Sequence, residues 1–322
     1  MEDNLLEIKN LKVEYHTFEG VAKAVNGVNL RLGYAEALGL VGETGAGKTT
    51  TALSILRLLP KPAGRVTQGE IFFKGRDLLN LPEKSMRKLQ GNQISMIFQN
   101  PLTSLNPVFT IGEQISLVFQ IHQGLTRDEA KKRAGNILEV VGIPKNRLEE
   151  YPHQFSGGMR QRVGIASAIA CNPELLIADE PTTALDVTIQ AQVLELMQDL
   201  REKYRMSLIL ITHNLGIVAE MCSNVAVIYA GQIIEYGSIK EVFENPAHFY
   251  TKGLLSSLPS TGTRRTLLKP IQGFMPNPME LPTGCKFHPR CPSATELCQR
   301  EEPGLFPVSD HHSAACFVFR KG

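Results

Sequence analysis

The chain has 322 residues, a formal net charge of +2 and six cysteines. This length suits one large domain or two smaller ones, and so small a charge gives no bulk electrostatic reason to expect nucleic acid as a partner. Because no apolar run approaches the ~20 residues of a membrane-spanning helix and the N-terminus lacks a signal-peptide pattern, we expect a soluble chain.

The first predicted elements are two strands, over residues 5–15 and 21–32, joined by a turn at Phe18-Glu19-Gly20. They predict a small antiparallel sheet. Tyr15, near the end of the first strand, is either an aromatic that stacks on a base or an ordinary strand residue.

A glycine-rich loop then stands between an apolar strand (residues 37–41) and a helix (residues 50–59). Its residues match G-x-x-x-x-G-K-[ST] in the context that this pattern requires: Gly42, Glu43, Thr44, Gly45, Ala46, Gly47, Lys48 and Thr49. Glycines let successive N–H groups point at a β-phosphate, Lys48 can reach the β- and γ-phosphates, and the Thr49 hydroxyl can ligate Mg²⁺. The loop therefore predicts that the protein binds a nucleoside triphosphate.

The next segments change from strand to helix. Strands are predicted over residues 69–74 and 94–98, with Gln99 at the end of the second, and a loop over residues 100–107. Helices follow at residues 111–123 and 127–141, the second with one apolar face. Since strands resume only at residue 175, these helices form an insertion in an α/β core.

A second candidate anion site opens a helix that runs to residue 171. Ser156 is placed to cap this helix, and Gly157 and Gly158 allow close backbone approach, although Ser-Gly-Gly alone occurs in many loops.

Polar residues then follow two predicted parallel strands. Residues 175–180 form an apolar strand ending in Asp179, suited to Mg²⁺, and Glu180, suited to act as general base for water. After the turn Ala184-Leu185-Asp186, a helix is predicted over residues 188–204, then a strand over 207–212 that ends at His213. A hairpin over residues 225–236 and a short helix over 238–244 complete this part of the chain.

In their order and spacing these elements resemble the ATP-binding-cassette (ABC) ATPases, over about residues 5–255. The resemblance implies an α/β P-loop NTPase fold, with an antiparallel β subdomain and a helical subdomain at about residues 100–172. It implies that Gln99 couples Mg²⁺ to a membrane subunit, that Asp179 holds Mg²⁺, that Glu180 is the base and that His213 senses the γ-phosphate. In this family the Ser-Gly-Gly element of one cassette caps the ATP of another; Met159 departs from the Gln that many members have next. The residues implied to contact ATP are Tyr15, Gly42, Thr44, Gly45, Ala46, Gly47, Lys48, Thr49, Thr50, Ser156, Gly157, Gly158 and Asp186.

Residues 256–322 form a small, irregular, cysteine-rich extension to the domain predicted at residues 1–255. Nine of the chain's 19 prolines fall here, so this segment needs an external staple. It contains four cysteines: Cys285, Cys291, Cys298 and Cys316. Their spacing, C-x5-C-x6-C-x17-C, lacks the paired C-x2-C of a zinc ribbon. On ligand count alone, four thiolates suit zinc or a four-iron cluster equally.

The extension resembles that of oligopeptide and dipeptide importer ATPases, through Pro246-Ala247-His248-Phe249-Tyr250-Thr251 and Gly284-Cys285-Lys286-Phe287-His288-Pro289-Arg290-Cys291. Some members of that group hold a [4Fe–4S] cluster on these cysteines, so the cluster is expected here, with zinc or free thiols as alternatives. The resemblance further implies a subunit at the cytoplasmic face of the membrane that hydrolyses ATP for import. Its implied partners are a paralogous second ATPase in a head-to-tail dimer, two membrane permease subunits and an extracytoplasmic peptide-binding protein.

The same residues bear on several other functions. Nickel chelates or oligosaccharides are alternative solutes. Soluble DNA-repair or chromosome-organising cassettes carry long coiled coils or zinc modules that are absent between Gln99 and Ser156, and translation-factor types carry two cassettes. A regulatory module without turnover is disfavoured by the presence of Glu180 and His213.

Overall fold

The computed structural model describes residues 4–99, 104–183, 185–257 and 271–320. It divides into two compact units. The first unit contains residues 32–37 and 80–211, and the second contains residues 4–31, 38–79 and 212 onward. Among the described residues no helix has the length and apolar character to cross a bilayer.

A four-stranded sheet lies in the second unit, with strand order β2-β1-β4-β5. Its strands are β1 (Leu6–Thr17), β2 (Gly20–Leu32), β4 (Gly64–Phe73) and β5 (Arg76–Asp77). β1 and β4 pair antiparallel from Leu6 opposite Phe73 to Tyr15 opposite Gly64. Leu6 and Ile8 are buried in alternation, as are Leu11 and Val13 beyond an irregularity in the pairing, which agrees with the strand pattern predicted here.

The second sheet segment of this unit has the order β11-β12-β10-β9-β3. Its strands are β3 (Ala37–Val41), β9 (Asn224–Tyr229), β10 (Gln232–Ser238), β11 (Phe306–Ser309) and β12 (His312–Ala314). β3 and β9 are parallel, and apart from Asn224 their paired residues are apolar and buried, as expected of strands covered on both faces. The helices of this unit are α1 (Lys48–Ile55), α7 (Leu215–Met221), α8 (Ile239–Glu244), α9 (Phe249–Ser256) and α10 (Glu296–Arg300).

The first unit combines parallel strands with helices. Its strands β6 (Ile94–Ile97), β7 (Leu175–Asp179) and β8 (Ser207–Thr212) lie in the order β8-β7-β6 and pair in parallel. Its helices are α2 (Glu83–Leu89), α3 (Ile111–Gln123), α4 (Arg127–Val140), α5 (Gly157–Ile169) and α6 (Val187–Tyr204).

The predicted helices and strands up to residue 244 are confirmed with boundaries within a few residues, apart from β4, which begins five residues earlier than predicted. α3 has the predicted limits because Thr110 and Glu113 form a capping box at its start and Gly124 adopts a left-handed conformation at its end. The helix predicted over residues 50–59 instead begins at Lys48 and ends at Ile55. Residues 100–103 of the predicted loop and Ala184 of the predicted turn lie outside the described residues.

The extension is less irregular than predicted. β12 adds to the edge of the sheet, pairing with β10 at Glu235 opposite Ala314 and Tyr236 opposite Ser313. Strands of three or four residues are too short to show an alternating pattern, so the pairing of β12 with β10, 70 or more residues earlier, left no trace in the sequence. The predicted boundary at residue 255 stays a prediction, and residues 258–270 lie outside the described part.

Candidate functional site

The glycine loop after β3 folds as the phosphate-binding pattern predicts. Gly45 and Gly47 have backbone φ angles of 83° and 103°, a region that residues other than glycine rarely adopt. A Cβ on Gly42 would lie 2.3 Å from the Ile228 carbonyl oxygen, and one on Gly47 would lie 2.5 Å from that of Ala24. The loop therefore requires glycine for both conformation and space.

Lys48 closes this loop. Its side chain is buried, and Nζ donates to the carbonyl oxygens of Gly42 (2.8 Å) and Glu43 (2.9 Å). Lys48 is also the first residue of α1, whose N-terminus has no side-chain cap, so a cation and the positive end of a helix dipole lie together. This is a cradle for a phosphate group.

Two neighbouring segments contact the cradle. The turn between β9 and β10 is anchored to it, because Gly231 N–H donates to the Ala46 carbonyl oxygen (2.8 Å). The Tyr15 hydroxyl lies 3.3 Å from the Thr50 hydroxyl in the first turn of α1. Tyr15 is thus placed beside the loop, and its stacking on a base stays a prediction.

His213, the first residue after β8, belongs to the same unit and is exposed. Asn214 after it caps α7 by accepting the N–H groups of Gly216 and Ile217. The cap fixes the backbone that carries His213, and the proposed sensing role stays a prediction.

In the first unit, the strand-end acid Glu180 is held in a strained conformation. Its φ is +46°, and its N–H donates to the Ile211 carbonyl oxygen (2.8 Å). Its carboxylate accepts from Gln99 Nε2 (3.0 Å) and the Thr183 hydroxyl (2.9 Å). Asp179, one residue earlier, is buried at the end of β7. The structure therefore brings Gln99 and Glu180, which follow two different strands, into direct contact.

The Ser-Gly-Gly element also lies in the first unit, against the start of α6. Ser156 caps α5 by accepting the Met159 N–H (3.3 Å), and Asp186 caps α6 by accepting the Ile189 N–H (3.0 Å). A Cβ on Gly158 would lie 2.4 Å from Ile189 Cγ2, so the two helix starts pack at a distance that only glycine allows. The predicted cap of Ser156 is confirmed.

The extension has four cysteines that line one cavity of about 300 Å³: Cys285, Cys291, Cys298 and Cys316. His248 and Phe287 also line this cavity. Burial raises the pKa of Cys285 to about 11 and also raises the pKa of Cys291 and Cys316, so these thiols are neutral near pH 7 without a bound cation. Among the described residues no group of three or more His, Cys, Asp or Glu side chains has the close geometry of a metal-ion site. This geometry therefore supports neither the expected [4Fe–4S] cluster nor the zinc alternative, and both stay predictions.

Several long-range contacts of the second unit were not predicted from the sequence. Arg290 of the extension forms a bidentate ion pair with Glu43 (2.7 and 3.1 Å), and the Tyr250 hydroxyl accepts the Glu43 N–H (2.8 Å). Buried Glu235 accepts from the N–H groups of Ala247 and His248 and from His312. These partners are far apart in the chain, and no periodic pattern relates them.

Comparison with known proteins identifies two matched regions. Residues 25–183 match the ABC transporter family, and residues 234–298 match the C-terminal region of the oligopeptide/dipeptide transporter family. The chain is 50% identical over 313 residues to the oligopeptide transport ATP-binding protein OppD of Bacillus subtilis, covering 96% of this chain and 87% of OppD. It is 47% identical to the dipeptide transport ATP-binding protein DppD of the same organism, covering 98% and 95% of the two chains.

Solved structures agree with this match. The ATP-binding cassette MJ0796, in a dimeric post-hydrolysis state with ADP and phosphate, superposes with a TM-score of 0.65 at 26% identity, covering 73% of this chain and 98% of that one. CbiO1 of Clostridium perfringens, part of the ABC transporter complex CbiONQ, gives a TM-score of 0.64 at 28% identity, with 76% and 92% coverage. These matches confirm the predicted α/β fold of an ABC nucleotide-binding domain.

Proposed function

The chain belongs to the oligopeptide and dipeptide group of ABC transporter ATP-binding proteins, and we propose that it hydrolyses ATP to energise the import of short peptides. The observation that carries this proposal is the phosphate cradle after β3, in which Lys48 spans the loop at the start of α1. The matched C-terminal region supports the peptide transporter assignment.

We infer that the cradle holds the phosphates of ATP, and that Gln99, Asp179 and Glu180, which lie at or just after the ends of β6 and β7, take part in Mg²⁺ binding and hydrolysis. Lys48 and the loop N–H groups would bind the β- and γ-phosphates. The Thr49 hydroxyl and the buried Asp179 carboxylate are hard oxygen donors, which fit Mg²⁺, and Gln99 would join them. Bound Mg²⁺ supplies charge neutralisation across the β- and γ-phosphates.

Glu180 is the proposed general base. Its carboxylate would take a proton from water as the water oxygen bonds to the γ-phosphorus and the bond to the β,γ-bridging oxygen breaks, which gives ADP and phosphate. The hydrogen bonds from Gln99 and Thr183 orient this carboxylate. His213 would bind the γ-phosphate and so sense its release.

The Ser156-Gly157-Gly158 segment is proposed to act on ATP held by a second ATPase subunit in a head-to-tail dimer. The support is chemical: the capped start of α5 presents backbone N–H groups and a helix dipole suited to an anion. The second subunit would be a paralogue. Two permease subunits and an extracytoplasmic peptide-binding protein would complete the importer, with this chain at the cytoplasmic face of the membrane.

The cavity of the extension is proposed to hold a [4Fe–4S] cluster on its four cysteines. The support is the ligand set, since four cysteines that line one cavity match the four thiolates that a [4Fe–4S] cluster requires. The cluster's proposed role is structural, as a staple for a proline-rich segment. Chains purified without oxygen should contain about four irons with matching acid-labile sulfide. Cys291→Ser should lose them and Cys171→Ser should keep them; stoichiometric zinc without sulfide would refute the cluster.

The proposed function is tested in the assembled transporter. The chain should co-purify with its permease and second ATPase subunits, and ATP hydrolysis in proteoliposomes should rise when the binding protein is loaded with peptide. A panel of dipeptides, longer peptides, nickel chelates and oligosaccharides identifies the solute class. Stimulation by the nickel chelate or the oligosaccharide alone would contradict peptide import.

A further inference from the structure

Arg290 is a firmly held charged side chain of the extension. Its side chain is 5% exposed, and its guanidinium forms a fork with the Glu43 carboxylate, with N···O distances of 2.7 and 3.1 Å. Nε donates to the Gln272 carbonyl oxygen (2.9 Å), and the guanidinium carbon lies 5.8 and 5.9 Å from the ring centroids of Tyr229 and Phe287. A planar fork fixed on both edges and near two aromatic rings has little freedom to leave its partner.

Glu43 occupies the second position of the phosphate-binding loop. Its carbonyl oxygen accepts from Lys48 Nζ, and its N–H donates to the Tyr250 hydroxyl. Glu43 is therefore held at three points. Its side chain contacts Arg290 of the extension, its N–H contacts Tyr250 of α9, and its carbonyl oxygen contacts Lys48. The position of the Glu43 carbonyl oxygen therefore helps to determine the position of the Lys48 ammonium group.

The carboxylate of Glu43 also has an electrostatic cost. A negative side chain within a loop that binds the anionic phosphates of ATP repels the ligand, unless a cation offsets it. Arg290 is the cation in contact with that carboxylate, and it reaches the loop from a point 247 residues later in the sequence. Its neighbour Cys291 lines the cysteine cavity.

We propose that Arg290 is a positioning residue for ATP binding, which neutralises Glu43 and holds the phosphate-binding loop, so that folding of the cysteine-bearing extension sets the affinity for ATP. This inference rests on the assignment of residues 42–49 as the ATP site. It predicts reciprocity, because an extension that strengthens ATP binding must itself be stabilised by ATP.

The test measures the dissociation constant of Mg·ATP for the full-length chain by calorimetry. Arg290→Ala should raise it by roughly tenfold, within the 5- to 150-fold range typical of coupled sites. Arg290→Lys, which keeps the charge without the fork, should fall between wild type and Arg290→Ala. The matched control is Arg300→Ala, because Arg300 is an arginine of the same extension that is 76% exposed; it should leave the constant unchanged.

A double variant separates electrostatics from a folding defect. Arg290→Ala with Glu43→Gln removes the uncompensated carboxylate but does not restore the fork that holds the loop, so affinity should recover in part and lie between that of Arg290→Ala and that of wild type. Failure of this rescue, or a change below twofold in Arg290→Ala, would overturn the proposal.

Two further measurements complete the test. Lys48→Ala should abolish Mg·ATP binding, and retained binding would refute the assignment of the ATP site. If Lys48→Ala abolishes binding but Arg290→Ala leaves the dissociation constant unchanged, only the present inference is refuted. Amide exchange in residues 285–300 should slow when Mg·ATP is added to wild type and not when it is added to Arg290→Ala. Equal protection in both chains would also count against the coupling.

Discussion

The buried carboxylate of Glu235 should be among the most sensitive positions of the second unit. Glu235 lies on β10 with no exposed surface and accepts three hydrogen bonds. The donors are the N–H groups of Ala247 (2.7 Å) and His248 (2.8 Å), just before α9, and Nε2 of His312 (2.8 Å) on β12. One side chain therefore joins the hairpin, α9 and the last strand of the sheet.

Replacing Glu235 by Ala leaves two buried backbone donors and an imidazole without their acceptor. Each orphaned buried group costs about 1–3 kcal/mol, and the costs are not additive because the three donors share one site. Removing one member of a buried charged network typically costs about 3–5 kcal/mol, and we expect a loss of free energy of unfolding of this size. Glu235→Gln should cost less, because its amide oxygen still accepts from one side.

Urea denaturation followed by far-UV circular dichroism measures the loss, and amide exchange shows where the structure opens. Exchange should accelerate in residues 247–257 and 312–316 before the rest of the chain. Glu244→Ala is the matched control, since Glu244 is exposed at the end of α8, and it should change stability by less than about 0.5 kcal/mol. A loss below about 1 kcal/mol for Glu235→Ala would show that the network does not hold these elements together.

Three further outcomes follow from the site. Gly158→Ala should leave Mg·ATP affinity unchanged but reduce hydrolysis by the assembled transporter at least tenfold, because its Cβ would lie 2.4 Å from Ile189 Cγ2 and push the start of α5 away; full activity would contradict this. Burial lowers the pKa of His248 to about 3, so that below pH 6.5 the unfolded chain binds a proton on this residue while the folded chain does not. Protonation therefore favours the unfolded state, and the free energy of unfolding of wild type should fall as the pH falls from 6.5 towards 3. His248→Asn, which can still cap α9, should lose less over that range, and identical pH profiles would refute the assignment. The chain alone should be monomeric by light scattering and a poor ATPase, since Ser156 is proposed to act on a partner's nucleotide; strong hydrolysis independent of protein concentration would contradict this.

The nucleotide-binding parts were predictable because their chemistry is local. The phosphate loop is a continuous run of eight residues whose glycines are demanded by φ and by space, and β7 is a short apolar run that ends in an acid. α3 carries its own start and stop in Thr110, Glu113 and Gly124. In each case the residues that determine the structure are within a few positions of the residues that they position.

The extension was not predictable in the same way, because its contacts are long-range. β12 has three residues and is defined by pairing with β10, and Arg290 acquires its role from Glu43, 247 residues earlier. A side chain that pairs across such a distance leaves no periodic pattern. The sequence of the extension therefore showed its prolines, its cysteines and its family resemblance, but neither its strands nor the partner of Arg290.

The most direct test of the account separates ATP binding from ATP turnover in the assembled transporter. Lys48→Ala removes the cradle's cation and should abolish Mg·ATP binding, whereas Glu180→Gln keeps the cradle and should bind Mg·ATP with wild-type affinity but lose steady-state hydrolysis. Lys84→Ala and Glu220→Gln, at exposed positions, are the matched controls and should behave as wild type. Unchanged hydrolysis in the Glu180→Gln transporter would remove Glu180 from the mechanism, and retained binding in Lys48→Ala would contradict the assignment of the loop.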